Sequence, residues 1–279
     1  MSISKPSEIK VDEIEYKEPK TLGNGGKQVY LQYNGGKLVV QTPKMTLPWS
    51  MGKYEGDNGQ MKYSIDLSFK GREDNEKLNE FHDFLEKFDE QLVKEGVNHS
   101  MSWFKKKGMN EEVLRALFSK QLRESKDKET GEPDGKWPPT VKVKLPFKDG
   151  RFLCEVYDNK KKEVEQSQLE NTLIRGCEVQ ALVEHSGIWF AGGKYGCSWK
   201  IIQMKVTAPS SIKGYSFIDS SDDELDGDGD DDDDGVNAQS SPAVVNKSNF
   251  VEDSDDDSDI VEDSDDETPP PTKKKGKKK

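Results

Sequence analysis

Residues 61–92, MKYSIDLSFKGREDNEKLNEFHDFLEKFDEQL, change period half-way along. Met61, Tyr63, Ile65, Leu67 and Phe69 alternate with polar residues, which puts one apolar face on a strand. After Gly71 the apolar positions Leu78, Phe81, Leu85, Phe88 and Leu92 recur at steps of three and four. That spacing predicts an amphipathic helix from about Asp74 to Lys94, ending at Gly96. A second helix is expected from Asn110, an N-cap with Glu111 and Glu112 in its first turn, to about Leu122.

Strand signals lie on both sides of this helical stretch. Residues 28–33 (QVYLQY) and 37–41 (KLVVQ) flank Asn34-Gly35-Gly36, which is hairpin turn chemistry. Residues 141–147 and 151–157 flank Lys148-Asp149-Gly150 in the same way. Further strands are expected at 177–184, 188–190 and 198–206, with irregular connections at 42–54 and 124–139. Helices confined to one stretch of a β-rich chain predict a mainly β, α+β fold. The expectation is a five-stranded barrel of the oligonucleotide-binding type with a helical insertion at about 74–122. That layout places a helix between its third and fourth strands, and here some strands are to spare.

Charge divides the chain. Residues 219–268 hold 22 Asp and Glu against Lys247 alone, a net −21, and Lys273–Lys275 with Lys277–Lys279 add +6. The whole chain carries −12, which leaves +3 for residues 1–218. The expected organisation is therefore a flexible polar arm (1–26), a folded domain (27–218), a disordered acidic tail (219–268) and a basic C-terminal plug (269–279). A self-repelling segment with few apolar groups cannot offset chain entropy.

Catalysis finds little support. The three histidines (His82, His99 and His185) and three cysteines (Cys154, Cys177 and Cys197) show no metal-ligand or nucleophile spacing. No enzyme activity, cofactor or metal is expected, and buried free thiols fit a reducing compartment. With no leader-like N-terminus and no apolar run of transmembrane length, the expectation is a soluble intracellular protein with no membrane partner.

Binding is better supported, because cations stand beside aromatics in several segments. These are Lys44, Trp49, Lys53 and Tyr54; Lys62 and Tyr63; Trp103, Lys105 and Lys106; and Trp189, Lys194, Tyr195, Trp199 and Lys200. Cations that track phosphates and rings that stack on unpaired bases make a single-strand site. In a β-rich domain most Trp and Phe are core, but a barrel alternates inside and outside, so some of the set is expected to face the groove. The most specific segment is GIWFAGGKYGCSWK, residues 187–200, a glycine-rich turn between aromatic-rich strands.

The chain resembles the single-stranded DNA-binding proteins of large nucleo-cytoplasmic DNA viruses, a family similar to the acidic-tailed replication protein of short-tailed phages. Trp49-Ser50-Met51, Lys62-Tyr63, Leu67-Ser68-Phe69 and Trp103-Phe104 carry the resemblance, with Gly187-Ile188-Trp189-Phe190, Gly193-Lys194-Tyr195-Gly196, Trp199-Lys200 and the acidic C-terminus. It implies a barrel that coats unpaired DNA in viral replication, repair and recombination, and a tail that recruits replication or recombination enzymes. The implied location is the host nucleus or a cytoplasmic viral factory. The phage-type tail ends in an aromatic residue, whereas this chain ends in KKKGKKK.

Ser221, Ser254 and Ser264 each have an acidic residue three positions on, which makes them candidate phosphorylation sites. Two other readings stay open at this stage: an acidic-tailed chaperone of histones or other basic proteins, and an RNA-binding or transcription-associated module on the same barrel. A homodimer is also left open.

Overall fold

The computed structural model describes residues 2–209, apart from 24, 57 and 58. In chain order its principal elements are strands β1 (Val39–Gln41), β2 (Met45–Thr46), β3 (Gly52–Glu55) and β4 (Met61–Ser68). Helices α1 (Glu76–Asn98), α2 (Ser100–Phe104) and α3 (Glu111–Leu117) follow. The chain continues with β5 (Leu122–Arg123), β6 (Thr140–Leu145), helix α4 (Leu169–Thr172), β7 (Glu178–Ala191) and β8 (Lys194–Thr207).

Hydrogen-bonded pairing closes a ring. β2 pairs with β4, β4 with β6, β6 with β8, β8 with β7, and β7 returns to β2. β1 extends β2 along β7, and the Thr42 N–H bridges the gap to the Ala181 carbonyl at 2.8 Å. Taken in chain order, the five barrel strands run first, second, third, fifth, fourth around the ring, with the third and fifth parallel. This is the oligonucleotide-binding barrel, mainly β with a helical insertion.

The helical insertion falls within the expected 74–122 but ends at Leu117, with Leu122 already in β5. It interrupts the barrel one strand earlier than that layout has its helix. α1, α2 and α3 lie between the second and third barrel strands, while the short α4 lies between the third and fourth. α1 starts where Asn75 caps it, its side chain accepting the Lys77 and Leu78 N–H groups at 3.1 and 3.3 Å. It runs through Gly96, where a Cβ would meet Leu114 Cδ1 at 3.1 Å and the Tyr195 hydroxyl at 3.2 Å. That glycine serves close packing and does not end the helix. Phe84 and Phe88 close one end of the barrel over Trp199, at ring-centroid distances of 6.2 and 6.0 Å.

Two further expectations are corrected. Residues 1–26 were expected as a loose arm, yet Ile3–Ser4 pairs with β1, Glu15–Tyr16 pairs with Leu31–Gln32, and Ile9 and Ile14 are buried. Apolar residues spaced through a polar segment are enough to dock it. The arms of the first expected hairpin meet only at its tip, where Tyr33 bridges Gly36 and Asn34 and Gly35 take positive φ of 51° and 72°. Beyond the tip, Lys27–Val29 and β1 both pair with β7. The acidic tail, the basic plug, Ser221, Ser254 and Ser264 lie outside the described residues.

Candidate functional site

Strict alternation along β4 and β6 sends one set of side chains into the barrel and the other outward. Ile65, Leu67, Val141, Val143 and Leu145 point in and are buried. Lys62, Ser64 and Asp66 of β4, and Thr140, Lys142 and Lys144 of β6, alternate with them and are half-buried. Register aligns Lys142 with Asp66, Lys144 with Ser64 on one side, and Lys144 with Lys200 of β8 on the other. The result is a cationic row across the outer face of the second, third and fifth barrel strands.

At one end of the row β3 adds Tyr54 opposite Lys62, with the lysine nitrogen 5.5 Å from the ring centroid. Tyr54 is 46% exposed. Nearby, Trp49 is 58% exposed, and the Arg175 guanidinium lies 5.8 Å from its ring. The Arg175 N–H donates to Ser50 Oγ at 3.1 Å, which ties this loop to the one before β7.

Embedded acids set the electrostatics of the face. Burial pushes the Asp66 carboxyl up from its ordinary range, and Arg123 and Lys142 oppose that shift. The Glu184 carboxylate lies 3.0 Å from Lys37 Nζ and 3.5 Å from Lys200 Nζ. Glu184 thus ties Lys37 to Lys200, while Asp66 lies near enough to Arg123 and Lys142 to feel their charge.

The glycine-rich tip between β7 and β8 carries a second group of cations. Gly192 and Gly193 take φ of 54° and 80°, and Lys194 is exposed beside them. Lys105, Lys106 and Lys107 are exposed after α2. Lys27 Nζ lies 4.8 Å from the Phe190 ring centroid and donates to the Ser102 and Trp103 carbonyls. Burial, with Lys105 nearby, lowers its pKa.

The expected site residues therefore separate. Lys44, Trp49, Lys53, Tyr54, Lys105, Lys106 and Lys194 are exposed, and Lys62, Trp189 and Lys200 are half-buried. Lys44 and Lys53 are ion-paired, to Glu178 at 2.5 Å and Glu170 at 3.3 Å. Tyr63, Trp103, Tyr195 and Trp199 are core side chains, which corrects the expectation of stacking surfaces there. Tyr63 faces inward against Phe147 and Phe152, both at 4.8 Å. Trp103 stacks on His99 at 5.3 Å, and Tyr195 packs on Phe104 at 5.0 Å. Trp199 lies under α1, with its indole N–H donating to Gln121 Oε1.

Reading for adjacent cation–aromatic pairs missed Lys142 and Lys144, although the alternation in TVKVKL marks them as outward. It also missed Arg123 and Arg175, for which nothing in the local sequence serves as a signal. His82, Asp83 and Glu86 bring ligand-type atoms within 4.8 Å of one another on α1. Burial, with Arg72 nearby, lowers the His82 pKa, and Glu86 and Asp83 oppose that shift. The three cysteines and His185 form no such group among the described residues. No described helix is long and apolar enough to cross a membrane.

Residues 66–219, more than half of the chain, match the sequence profile described as a family of unknown function, DUF5871. The chain belongs to that family. No curated protein matches it in sequence. Among solved structures it is similar to the single-stranded DNA-binding protein from bacteriophage Enc34 in complex with ssDNA, at 12% identity and a TM-score of 0.40, covering 72% of this chain and 99% of that one. It is also similar to gp2.5, a single-stranded DNA binding protein encoded by bacteriophage T7, at 11% identity and a TM-score of 0.39, covering 65% and 98%.

Proposed function

We propose that this protein binds single-stranded DNA without catalysis, on the outer face of β4, β6 and β8. One observation carries the reading. Lys62, Lys142, Lys144 and Lys200 share the outer face of the second, third and fifth strands, with Tyr54 at the edge. In oligonucleotide-binding barrels the second and third strands and the loop after the first strand receive the nucleic acid. Lysines along a strand neutralise a phosphate backbone, and an exposed ring accepts a base without regard to sequence. A duplex offers no free base faces to Tyr54 or Trp49. The wider setting belongs to the same proposal: coating of unpaired viral DNA during replication, repair and recombination, in the host nucleus or a viral factory, with the acidic tail recruiting partner enzymes.

Fluorescence anisotropy with labelled oligo-dT, oligo-rU and duplex DNA tests the reading on the full chain. Oligo-dT should bind best, with a strong salt dependence. Lys142→Ala with Lys144→Ala should weaken binding and flatten the salt slope by about 0.7 for each phosphate left without its lysine. A preference for duplex, or an unchanged slope in the double variant, rejects this face as the site. A preference for oligo-rU would assign the face to RNA.

A further inference from the structure

We infer that the loop of residues 125–136 presents Trp137 as a base-stacking finger, which extends the binding face past the start of β6. The inference rests on the single-strand reading above. Trp137 is 69% exposed, more than any other large apolar side chain among the described residues. Exposing an indole forgoes the favourable burial that a ring of this size normally makes.

The loop that holds it is tightly tied. Ser125 Oγ donates to Asp134 Oδ1 at 2.5 Å, and the Asp134 N–H donates to the Ser125 carbonyl at 3.0 Å. The Trp137 N–H donates to Ser125 Oγ at 3.2 Å, and the Lys136 N–H donates to Asp134 Oδ1 at 3.1 Å. Asp127 Oδ1 closes the tip by accepting the Glu129 and Thr130 N–H groups at 2.9 and 3.0 Å. Pro138 and Pro139 then restrict the backbone. The Pro139 carbonyl accepts the Phe69 N–H at 2.9 Å, which fixes the base of the loop to the barrel.

Position gives the exposed ring a ligand. Lys126, Lys128 and Lys136 line the same surface hollow as Trp137, together with Asp127, Glu129 and Asp134, and Lys136 Nζ pairs with Asp134 Oδ2 at 3.0 Å. The outward row Lys144, Lys142, Thr140 runs along β6 towards Trp137, and Tyr54 flanks its far end beside Lys62. Trp137 precedes the start of β6 by three residues, beyond the Thr140 end of the row. Aromatic rings therefore stand at both ends of a line of cations. An exposed flat ring beyond the end of a phosphate-tracking lysine row fits an unpaired nucleobase within a strand.

The test uses the full chain, Trp137→Ala and Trp137→Phe, with labelled oligo-dT and a set of the same oligonucleotide carrying one abasic position in turn. Trp137→Ala should weaken oligo-dT binding roughly tenfold with unchanged melting, and Trp137→Phe should keep most of the affinity. One abasic position should weaken binding to the natural chain but add nothing to the loss in Trp137→Ala. If Trp137→Ala binds like the natural chain while Lys142→Ala with Lys144→Ala weakens binding, the finger is overturned and the sheet face stands. If its loss stays the same wherever the abasic position falls, the indole stacks on no particular base and the finger is again overturned. If neither set of changes affects binding, the single-strand reading on which the finger rests fails with it.

Discussion

Asp89 on α1 holds Gln121 with both of its carboxylate oxygens, one accepting the backbone N–H at 3.1 Å and the other the side-chain amide at 2.5 Å. Gln121 in turn accepts the Trp199 indole N–H, so a buried acid on the insertion fixes a ring inside the barrel. Burial pushes the Asp89 carboxyl up to about 7, against the pull of the two Gln121 hydrogen bonds. The folded state therefore binds a proton more tightly than the unfolded chain, whose carboxyl has its ordinary value of 3.8. The stability that this group contributes is complete below that value and is lost as pH rises through about 7. The loss is at most about 4 kcal/mol. Urea unfolding at a series of pH values should show the stability difference between the natural chain and Asp89→Asn shifting towards the variant between pH 4 and 7. A difference that stays flat over that window would mean that Asp89 does not titrate in the folded state.

Gly196 lies beneath Trp189, its cross-strand neighbour on β7. A Cβ there would come 2.8 Å from Trp189 Cζ2 and 3.1 Å from the Ser119 carbonyl. Gly196→Ala should therefore lower stability by roughly 1–3 kcal/mol through forced displacement. Gly192→Ala meets no atom within 4 Å, and its cost comes only from its positive φ of 54°. Equal melting of Gly196→Ala and the natural chain would show that the indole can move aside freely.

The change of period after Gly71 and the Asn110 cap were legible because both are local. Asn110 Oδ1 accepts the Val113 N–H at 2.9 Å, as the sequence pattern implies. Pairing was less legible, since β1 and Lys27–Val29 both find their partner in β7, more than a hundred residues away. The fate of the aromatics was obscured by register. β7 and β8 shift at Leu182/Val183 and again at His185/Gly187, and each shift breaks the alternation that would tell an inward ring from an outward one. On β6, which pairs without interruption to β4, alternation alone places Lys142 and Lys144 outside.

Trp199 and Tyr54 should therefore respond in opposite ways. Trp199 is 2% exposed, so Trp199→Ala should cost roughly 3–5 kcal/mol of stability and affect DNA affinity only through loss of folded protein. Tyr54→Ala should leave melting unchanged and weaken oligo-dT binding about tenfold. Thermal melting measured beside affinity separates the two effects. A Trp199→Ala protein that melts normally but binds poorly would return that ring to the binding surface.

We propose that the acidic tail competes with DNA for the same cations. Residues 219–268 carry −21 on the same chain as a domain of net +3, and tethering of this kind sets local concentrations in the millimolar range. If the tail visits the lysine row, DNA must displace it. Truncation after residue 218 should then tighten oligo-dT binding, roughly three- to tenfold at low salt and less as screening grows. Phosphate on Ser221, Ser254 or Ser264 should strengthen the competition, whereas removing residues 273–279 should weaken DNA binding modestly by leaving more of the tail's charge unneutralised. Lys142→Ala with Lys144→Ala provides the control, because it removes cations that both ligands would use. Truncation should then improve binding less in that background than in the natural chain. An affinity that truncation leaves unchanged at every salt concentration would exclude competition and assign the tail to partner proteins alone.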